Sequence, residues 1–448
     1  MLSISEAETR AAALVERASR AGADAADVLY YADASTGVQV RLGALEDVAR
    51  AEGETIGLRF FAGSRSASVS SSDLSDDALA ALVERAAAMA REALEDPWSG
   101  LAPEDRLIRG PGPDVEGDDG GDPSPVELKA RALAIEEAGR SVAGITNSEG
   151  AMANAGRTVV ALATSHGFCR GYSTSGYSAA ASLIAGAGSE MQRDYASHFV
   201  RHYTQLDDPE TLGRRAAERA VARLRPARLS SGTMPVLFHP RVGNSLLGPL
   251  ISAIGGPSIT RRTSFLLDKE GEKILPEGVT IADDPHRRRG LRSKPFDGEG
   301  LPTRPSKLVE DGRLTGWLLD SASARQLGRE PTGHATRSAG GSPGVGVTNV
   351  HIEPGPLSAE QLIGEVGRGL YVTELIGQGV NPVTGDYSRG ASGFLIENGR
   401  LGPPVAEITI AGNLLDMFAS LTPANDLEFR RAVNVPTLRI DGMTVAGA

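Results

Sequence analysis

Residues 27–70 decide the fold of the N-terminal part of the chain and read DVLYYADASTGVQVRLGALEDVARAEGETIGLRFFAGSRSASVS. Apolar and polar residues alternate through this stretch in short runs, which is the pattern of half-buried strands. The runs are residues 27–32, 36–42, 47–51, 55–61 and 66–70. We therefore predict a meander of antiparallel strands in this part of the chain.

Helical patterns flank the predicted strands on both sides. Residues 5–21 and 76–94 place their apolar side chains at helical spacing. The same order then recurs, with a helix at 126–140, strands within 142–200 and a helix at 209–224. Strands with segregated helices predict an α+β fold instead of a regular βαβ alternation.

Composition suggests where the domains divide. At 448 residues the chain exceeds the roughly 250–300 residues that one hydrophobic core supports. Residues 97–125 are rich in Pro, Gly and Asp and have no apolar period, so we interpret them as a linker. We predict an N-terminal α+β domain at 1–228, in which that linker separates two sub-units, and a C-terminal mixed, β-rich domain with helices at 229–448.

The C-terminal domain carries clear local signals. The string TMPVLFH from Thr233 has the pattern of a buried strand, and Pro240 then opens a helical stretch. Asp311-Gly312 and Asn398-Gly399 each lie between strand-forming runs and predict hairpin turns. Ser358 opens SAEQ, a capping box that predicts the start of a helix.

Charge and cysteine content exclude several classes of protein. The formal net charge is −11, which disfavours a general nucleic-acid binder because binding phosphates requires concentrated Lys and Arg. Basic runs at 223–228, 261–262 and 286–289 are either solvated surface or a local basic groove. A single cysteine, Cys169, precludes an internal disulfide and suits a cytoplasmic location. No apolar run approaches the roughly 20 residues of a membrane span.

Residues 381–399, NPVTGDYSRGASGFLIENG, combine glycines with directional polar groups. Asp386, Tyr387, Ser388 and Arg389 offer hydrogen bonds where the nearby glycines permit close backbone approach. Two interpretations remain open. An internal salt bridge between Asp386 and Arg389 stiffens a loop, or these residues contact a bound peptide or a partner chain.

Other familiar catalytic patterns are missing or weak. The seven histidines form no HExxH motif, and His198 and His202, although four residues apart, lie in a strand-like stretch without an adjacent Glu. They are therefore ordinary polar positions or, less favourably, a metal pair. The glycine-rich residues 338–347 lack the Lys-Ser/Thr of a P-loop, which favours a flexible or peptide-facing loop over a phosphate site.

Several motifs together resemble the TldD/TldE (PmbA) family. In chain order they are TSFLLDKEGEKILP, FDGEG, LTGWLLDSASARQLG, TGHA, VTGDYSRGASGFLIENG and PVAEITIAGNL. The family was first described as modulators of DNA gyrase and is now viewed as microcin-processing metallopeptidases. The resemblance covers most of the chain and is densest from Val236 to Met417.

The resemblance also implies which branch this chain belongs to. In the TldD branch a helix carries HExxxH and a later Cys completes a zinc site. Here Ile251, Ser252 and Gly256 stand at the first His, the Glu and the second His, and no Cys follows Cys169. None of these three side chains can replace the motif, since they supply neither a zinc ligand nor a general base. We therefore expect no metal and no catalytic residue in this chain and interpret the helix around Ile251 as structural, kinked or broken by Pro249.

GDYSRGASGF matches the TldE branch, whose members resemble non-catalytic partners of TldD. The resemblance thus implies a heterodimer that encloses a peptide channel, with zinc in a TldD-like subunit and an unfolded peptide as substrate. We expect Asp386, Tyr387, Ser388, Arg389 and His334 near the channel or the partner. Self-association without the partner remains open.

Two other functions are retained as alternatives. One is a binding protein that modulates DNA gyrase without a peptidase role. The other is an independent hydrolase with a different site, for example His334 with Arg337 and Ser338 on the glycine-rich loop.

Overall fold

Two successive units share the order helix, three strands, helix. The computed structural model describes residues 1–447, and Ala448, the last residue of the predicted C-terminal domain, lies outside them. The first unit comprises α1 (Ile4–Arg20), β1 (Ala25–Arg41), β2 (Ala44–Ala62), β3 (Arg65–Ser71) and α2 (Asp76–Glu92). The second unit comprises α3 (Pro125–Arg140), β4 (Ile145–Thr164), β5 (Cys169–Ala185), β6 (Gln192–Val200) and α4 (Pro209–Ala222).

The alternating stretch at 27–70 forms three strands, and the prediction of five short runs is wrong in this respect. The polar residues that seemed to separate the runs continue the ladder, with Asp33 opposite Gly53 and Ser35 opposite Ala51. They occupy the interior of a long hairpin because much of that hairpin faces solvent. The antiparallel meander itself is confirmed.

The two units share one six-stranded sheet with the order β3-β2-β1-β4-β5-β6. They meet at β1 and β4, which pair antiparallel along most of their length. Val28 of β1 packs with α1 and α2, while Val38 packs with α3 and α4. Because the two valines are an even number of residues apart on one strand, all four helices cover the same face of the sheet.

The segment predicted as a linker crosses the surface of the C-terminal domain and is tied to it. It contains one short 3₁₀ turn at Glu104–Arg106. The Arg325 guanidinium donates hydrogen bonds to the carbonyls of Trp98, Leu101 and Gly100 at 2.7, 3.0 and 3.1 Å. The Ile108 amide donates to the Gly300 carbonyl at 3.0 Å. The segment is therefore a strap that holds the two parts of the chain together.

The rest of the chain forms short helices and two mixed sheets. Its helices are α5 (Pro240–Gly243), α6 (Leu247–Ala253), α7 (Gly256–Thr260), α8 (Ser321–Leu327), α9 (Ala359–Gly364) and α10 (Leu414–Ala419). Its strands are β7 (Gly232–Phe238), β8 (Ile281–Asp283), β9 (Ser306–Glu310), β10 (Arg313–Leu314), β11 (Ala335–Thr336), β12 (Gly344–Val345), β13 (Val350–Ile352), β14 (Arg368–Ile376), β15 (Asp386–Glu397), β16 (Arg400–Asn413), β17 (Leu421–Pro423), β18 (Val433–Asn434) and β19 (Leu438–Ala446).

The larger of these sheets closes on itself. Its order is β16-β15-β14-β7-β19-β17, and an additional pairing of β16 with β19 completes a ring of five strands. Strands β14 and β7 are parallel and the other pairs in the ring are antiparallel. A second sheet, β10-β9-β8-β13-β18, also mixes the two orientations. The predicted α+β fold is confirmed.

Both hairpin turns predicted from the sequence are present. Asp311-Gly312 joins β9 to β10 and Asn398-Gly399 joins β15 to β16. All four residues have positive φ, at 48°, 78°, 51° and 74° in chain order. Such left-handed pairs match the twist of a two-residue hairpin. Among the described residues no helix has the length and apolar character needed to cross a membrane.

Candidate functional site

Residues 386–389 open strand β15 and are not part of a loop. Alternation along the strand directs Tyr387 into the core, where it is 3% exposed, and leaves Asp386 and Ser388 on the solvent side. Asp386 accepts hydrogen bonds from Thr384 Oγ1 at 2.6 Å and from the Asn413 side-chain amide at 3.3 Å. Burial raises the pKa of Tyr387 to about 12, so this phenol stays protonated at neutral pH.

Arg389 points towards the helical stretch that follows β7. Its guanidinium donates to Ser245 Oγ at 3.2 Å. Of the two interpretations left open, the salt bridge between Asp386 and Arg389 is wrong, because residues three apart on a strand project to opposite faces. Arg389 instead borders a cavity of about 230 Å³ where the N-terminal sheet meets the C-terminal domain.

The positions that correspond to the zinc motif do not form a metal site. Ile251 is half-buried against the core and Ser252 is exposed. Helix α6 ends at Ala253, and Gly256 begins α7, so the two positions do not share one helix. A Cβ at Gly256 would lie 2.5 Å from the Cβ of Ser323, which leaves no room for any side chain.

These residues therefore do not fit a zinc ion. Within residues 1–447 no group of three His, Cys, Asp or Glu side chains is placed to hold a metal. The predicted break at Pro249 is wrong, because this proline occupies the first turn of α6. In that turn the missing proline N–H would have no partner in the helix in any case.

His334 belongs to a buried polar network. Its Nδ1 lies 2.9 Å from Thr332 Oγ1, and its Nε2 lies 3.6 Å from the carboxylate of Asp283. Asp283 also accepts hydrogen bonds from the Thr348 amide at 3.0 Å. Burial lowers the pKa of His334, so the ring is neutral near pH 7. The network joins three chain segments and faces away from bulk solvent.

His334, Arg337 and Ser338, which the hydrolase alternative needs together, do not form a catalytic arrangement. No hydrogen bond joins His334 to Ser338 in the described chain, and Arg337 is buried against Asp27 of the N-terminal sheet. The glycine-rich loop that carries both residues packs on that sheet, since a Cβ at Gly57 would overlap the Ala339 carbonyl. This loop is docked, and it does not have the free backbone of a phosphate site.

Asp297 and Glu299 are two buried acidic residues close in the chain, and Glu299 makes this pair sensitive to pH. Burial and the adjacent Asp297 raise the pKa of Glu299 to about 7, while Ser321 Oγ donates to it at 2.7 Å. The folded protein thus binds this proton more tightly than the unfolded chain does. The stability that Glu299 contributes is fully present below pH 4.5, the ordinary pKa of the group, and is lost as the pH rises to about 7. We expect the loss from this group to reach at most about 3 kcal/mol.

Urea titrations at pH 5 and pH 8 check this expectation. Glu299→Gln should lose less free energy of unfolding between the two pH values than the wild type does, because glutamine does not ionise. The matched control is Glu397→Gln, an exposed position in the C-terminal domain. Parallel pH profiles for wild type and Glu299→Gln would show that Glu299 does not titrate in this range.

A cluster of arginines lies between the two parts of the chain. Two adjoining cavities of about 580 and 380 Å³ share Phe199, Leu291 and residues 428, 430 and 431. We call them together the arginine cleft. Two acidic side chains, Asp426 and Glu428, line it, against nine arginines. The arginines are Arg215, Arg219, Arg241, Arg287, Arg288, Arg289, Arg292, Arg430 and Arg431.

Only part of this charge is neutralised. Arg241 binds Asp194 through two hydrogen bonds of 2.6 and 2.8 Å, and Arg215 lies 3.0 Å from Asp207. Burial, together with neighbouring arginines, lowers the pKa of His239 to about 3, so this ring adds no charge. The cleft is therefore a cationic site in an otherwise acidic protein.

Only part of this cleft is visible in the sequence. The run at 286–289 was open to interpretation as a basic groove, and Arg287, Arg288 and Arg289 do line it. The other arginines are Arg292 and those of α4, of residues 240–244 and of residues 426–435. Their separation along the chain hides the cluster until the strands and helices are assembled.

Family comparison identifies the class of the protein. Three models of metallopeptidase domains match successive parts of the chain: PmbA/TldA metallopeptidase domain 1 at 26–90, the central domain at 118–224 and the C-terminal domain at 231–447. The chain thus has the three-domain organisation of this class of metallopeptidases. It belongs to the PmbA/TldD family, as the motifs had indicated.

Individual relatives span the whole chain. Metalloprotease PmbA of Escherichia coli O157:H7 is 40% identical over 95% of this chain and 92% of its own length. The PmbA homologue of Haemophilus influenzae is 37% identical over 100% of this chain and 98% of its own length. A putative modulator of DNA gyrase from Bacteroides thetaiotaomicron superimposes with a TM-score of 0.91 at 27% identity, over 99% of both chains. TldE from Thermococcus kodakarensis shares the fold, with a TM-score of 0.86 at 24% identity over 97% and 99%.

Proposed function

We propose that this chain is the subunit without zinc in a two-subunit peptidase of the PmbA/TldD family. A TldD-like chain supplies the zinc and the hydrolytic step. The present chain shapes the channel through which an unfolded peptide reaches that zinc. The complex acts in proteolysis and in the maturation of microcin-type peptides in the cytoplasm.

The packing at Gly256 is the observation that carries the proposal. A histidine there would displace Ser323 and Leu319, whose atoms lie 2.5 and 3.0 Å from the position of a Cβ. Ile251 adds an aliphatic side chain where a ligand would be needed. The degenerate motif is thus built into the core, which supports a division of labour with a second subunit.

One face of the N-terminal sheet is only partly covered, which supports a role in assembly. Helices α1 to α4 cover the other face, whereas this one packs on the C-terminal domain around Leu29 and still exposes Met152, Tyr195 and Phe199 at about two-fifths of their surface each (42%, 40% and 42%). Apolar groups grouped on an open face favour contact with a partner chain or a peptide. Self-association through this face is the competing outcome when the partner is missing.

Co-expression tests the assembly. This chain, tagged, is produced with the TldD-like protein of the same organism, and the molar mass of the purified material is measured by light scattering. We expect a stable complex that contains both chains in equal amounts. Recovery of the tagged chain alone, or of its homodimer alone in the presence of excess partner, would contradict the proposal.

A role at DNA gyrase is the second candidate because the structural neighbour from Bacteroides thetaiotaomicron is described as a putative modulator of DNA gyrase. The net charge of −11 opposes direct contact with DNA over most of the surface. A gyrase supercoiling assay with and without the purified chain distinguishes this function from the peptidase role.

A further inference from the structure

The arginine cleft lies apart from the degenerate zinc positions and has unused binding capacity. Within residues 1–447, Arg219, Arg287, Arg292 and Arg431 form no ion pair with a carboxylate. Arg287 lies over the Phe429 ring at 3.3 Å from its centroid. Arginines that face a cavity without a carboxylate partner are suited to an anionic ligand, because the guanidinium fork matches a carboxylate in two hydrogen bonds.

Arg219 shows the excess of positive charge most clearly. Burial, with Arg241 nearby, lowers its pKa to about 10. Its only described side-chain hydrogen bond goes to the Tyr195 carbonyl at 3.1 Å. A bound anion would relieve this mutual repulsion and replace the solvent that the guanidinium loses on burial.

The same cleft offers the open edge of a sheet. Strand β6 is the outermost strand on its side. The Tyr195 carbonyl accepts a hydrogen bond from Arg219, and its amide donates to Asp194 Oδ1 at 2.7 Å, so both backbone groups face away from β5. Alternate residues of an antiparallel strand face the same neighbour, which places the backbone groups of Ser197 and Phe199 on this open side too.

We propose that the arginine cleft binds a carboxylate of an extended peptide that lies along the edge of β6. The carboxylate is either the C-terminal group of the peptide or an Asp or Glu side chain. The sheet edge favours a peptide over other anions, because an extended backbone can continue the ladder. The assignment of a peptide ligand rests on the proposed function, whereas the binding of a carboxylate rests on the cleft alone.

Fluorescence anisotropy with the full-length chain tests this inference. The probes are ten-residue peptides labelled at the N-terminus: one with neutral side chains and a free C-terminus, the same peptide with a C-terminal amide, and amidated versions that contain either three Glu or three Gln. We expect the free acid or the Glu peptide to bind at least about tenfold more tightly than its neutral counterpart. The pair that shows the difference identifies the source of the carboxylate.

A charge-reversal variant locates the binding site. Arg292→Glu with Arg431→Glu changes two exposed cleft residues that carry no described ion pair, so we expect normal folding and loss of the tenfold preference. The control is Arg304→Glu with Arg400→Glu, two exposed arginines outside the cleft that also lack a described ion pair. Equal effects of the two double variants, or no preference for carboxylate in the wild type, would overturn the inference.

Three further outcomes show whether the peptide assignment, the proposed function or the binding of a carboxylate in the cleft is wrong. A single-stranded oligonucleotide that binds more tightly than every peptide, and loses binding in the cleft variant, would overturn the peptide assignment. Carboxylate binding that persists in a chain that never associates with a TldD-like protein would refute the proposed function and leave the cleft intact. Cleavage of neutral peptides by the complex, without any preference for carboxylate, would refute the cleft and leave the proposed function.

Discussion

Replacing Asp27 by Asn is expected to lower the free energy of unfolding by about 3–5 kcal/mol. The Asp27 carboxylate is almost wholly buried and serves two arginines. Arg59 Nε donates to it at 3.0 Å, and Arg337 Nη2 lies 2.5 Å from its second oxygen without the alignment of a hydrogen bond. Burial pushes the pKa of Asp27 upward, but Arg337 and Arg59 more than offset this effect and keep it below its ordinary value.

The size of this effect follows from what the substitution leaves behind. Asparagine has nearly the volume of aspartate, so packing changes little. Two buried guanidinium groups then lose the carboxylate that pairs with both of them, and the loop from Arg337 to Ala339 loses its anchor on the N-terminal sheet. Urea titration measures the stability, and limited proteolysis of residues 338–346 measures the release of the loop.

Two further variants test the cause. Asp47→Asn removes an exposed carboxylate from the same sheet and should change stability by less than about 0.5 kcal/mol. Adding Arg337→Met to Asp27→Asn should recover part of the loss, because it removes one uncompensated cation. If Asp27→Asn were no more harmful than the control, the buried ion pairs would not contribute to holding the two domains together.

Replacing Gly256 by His should be comparably damaging, with a loss of about 3 kcal/mol or more. The introduced Cβ would lie 2.5 Å from Ser323 Cβ and 3.0 Å from Leu319, and Gly256 also donates a backbone hydrogen bond of 2.7 Å to the Leu318 carbonyl. The neighbours cannot yield without moving α8. Urea titration, with circular dichroism as the check on folding, measures the effect.

The companion substitution should behave differently. Ser252→Glu, at an exposed position of the same motif, is expected to change stability by less than about 0.5 kcal/mol. Combining Ile251→His, Ser252→Glu and Gly256→His should therefore yield an unstable protein instead of a zinc site. A stable triple variant that binds zinc tightly would show that the packing around these positions does not exclude the zinc motif.

Much of the fold could be predicted because its signals are local. The turn at Asn398-Gly399 and the apolar period of α1 each depend on a few neighbouring residues. The polar interruptions in the first hairpin were misread because a strand whose two faces are both partly solvated tolerates polar residues in its interior. Closure of the C-terminal ring depends on pairing between β16 and β19, which no local pattern indicates.

The candidate sites were harder to predict because they depend on distant pairs. The sequence marks Arg389 as a directional group, but its contact with Ser245 requires β15 and the segment after β7 to lie side by side. Arg337 was considered as part of a hydrolase, although it neutralises Asp27 from the other domain. The family motifs, in contrast, were visible in the sequence, and the domain matches confirm them.

Zinc content measured together with peptide cleavage tests the central claim most directly. This chain, the TldD-like protein and their complex are each purified from zinc-containing medium, analysed for metal and incubated with an unfolded peptide. We predict about one zinc ion per pair, none retained by this chain alone, and chelator-sensitive cleavage by the complex but not by this chain. Stoichiometric zinc in this chain alone, with cleavage that a chelator abolishes, would contradict the account.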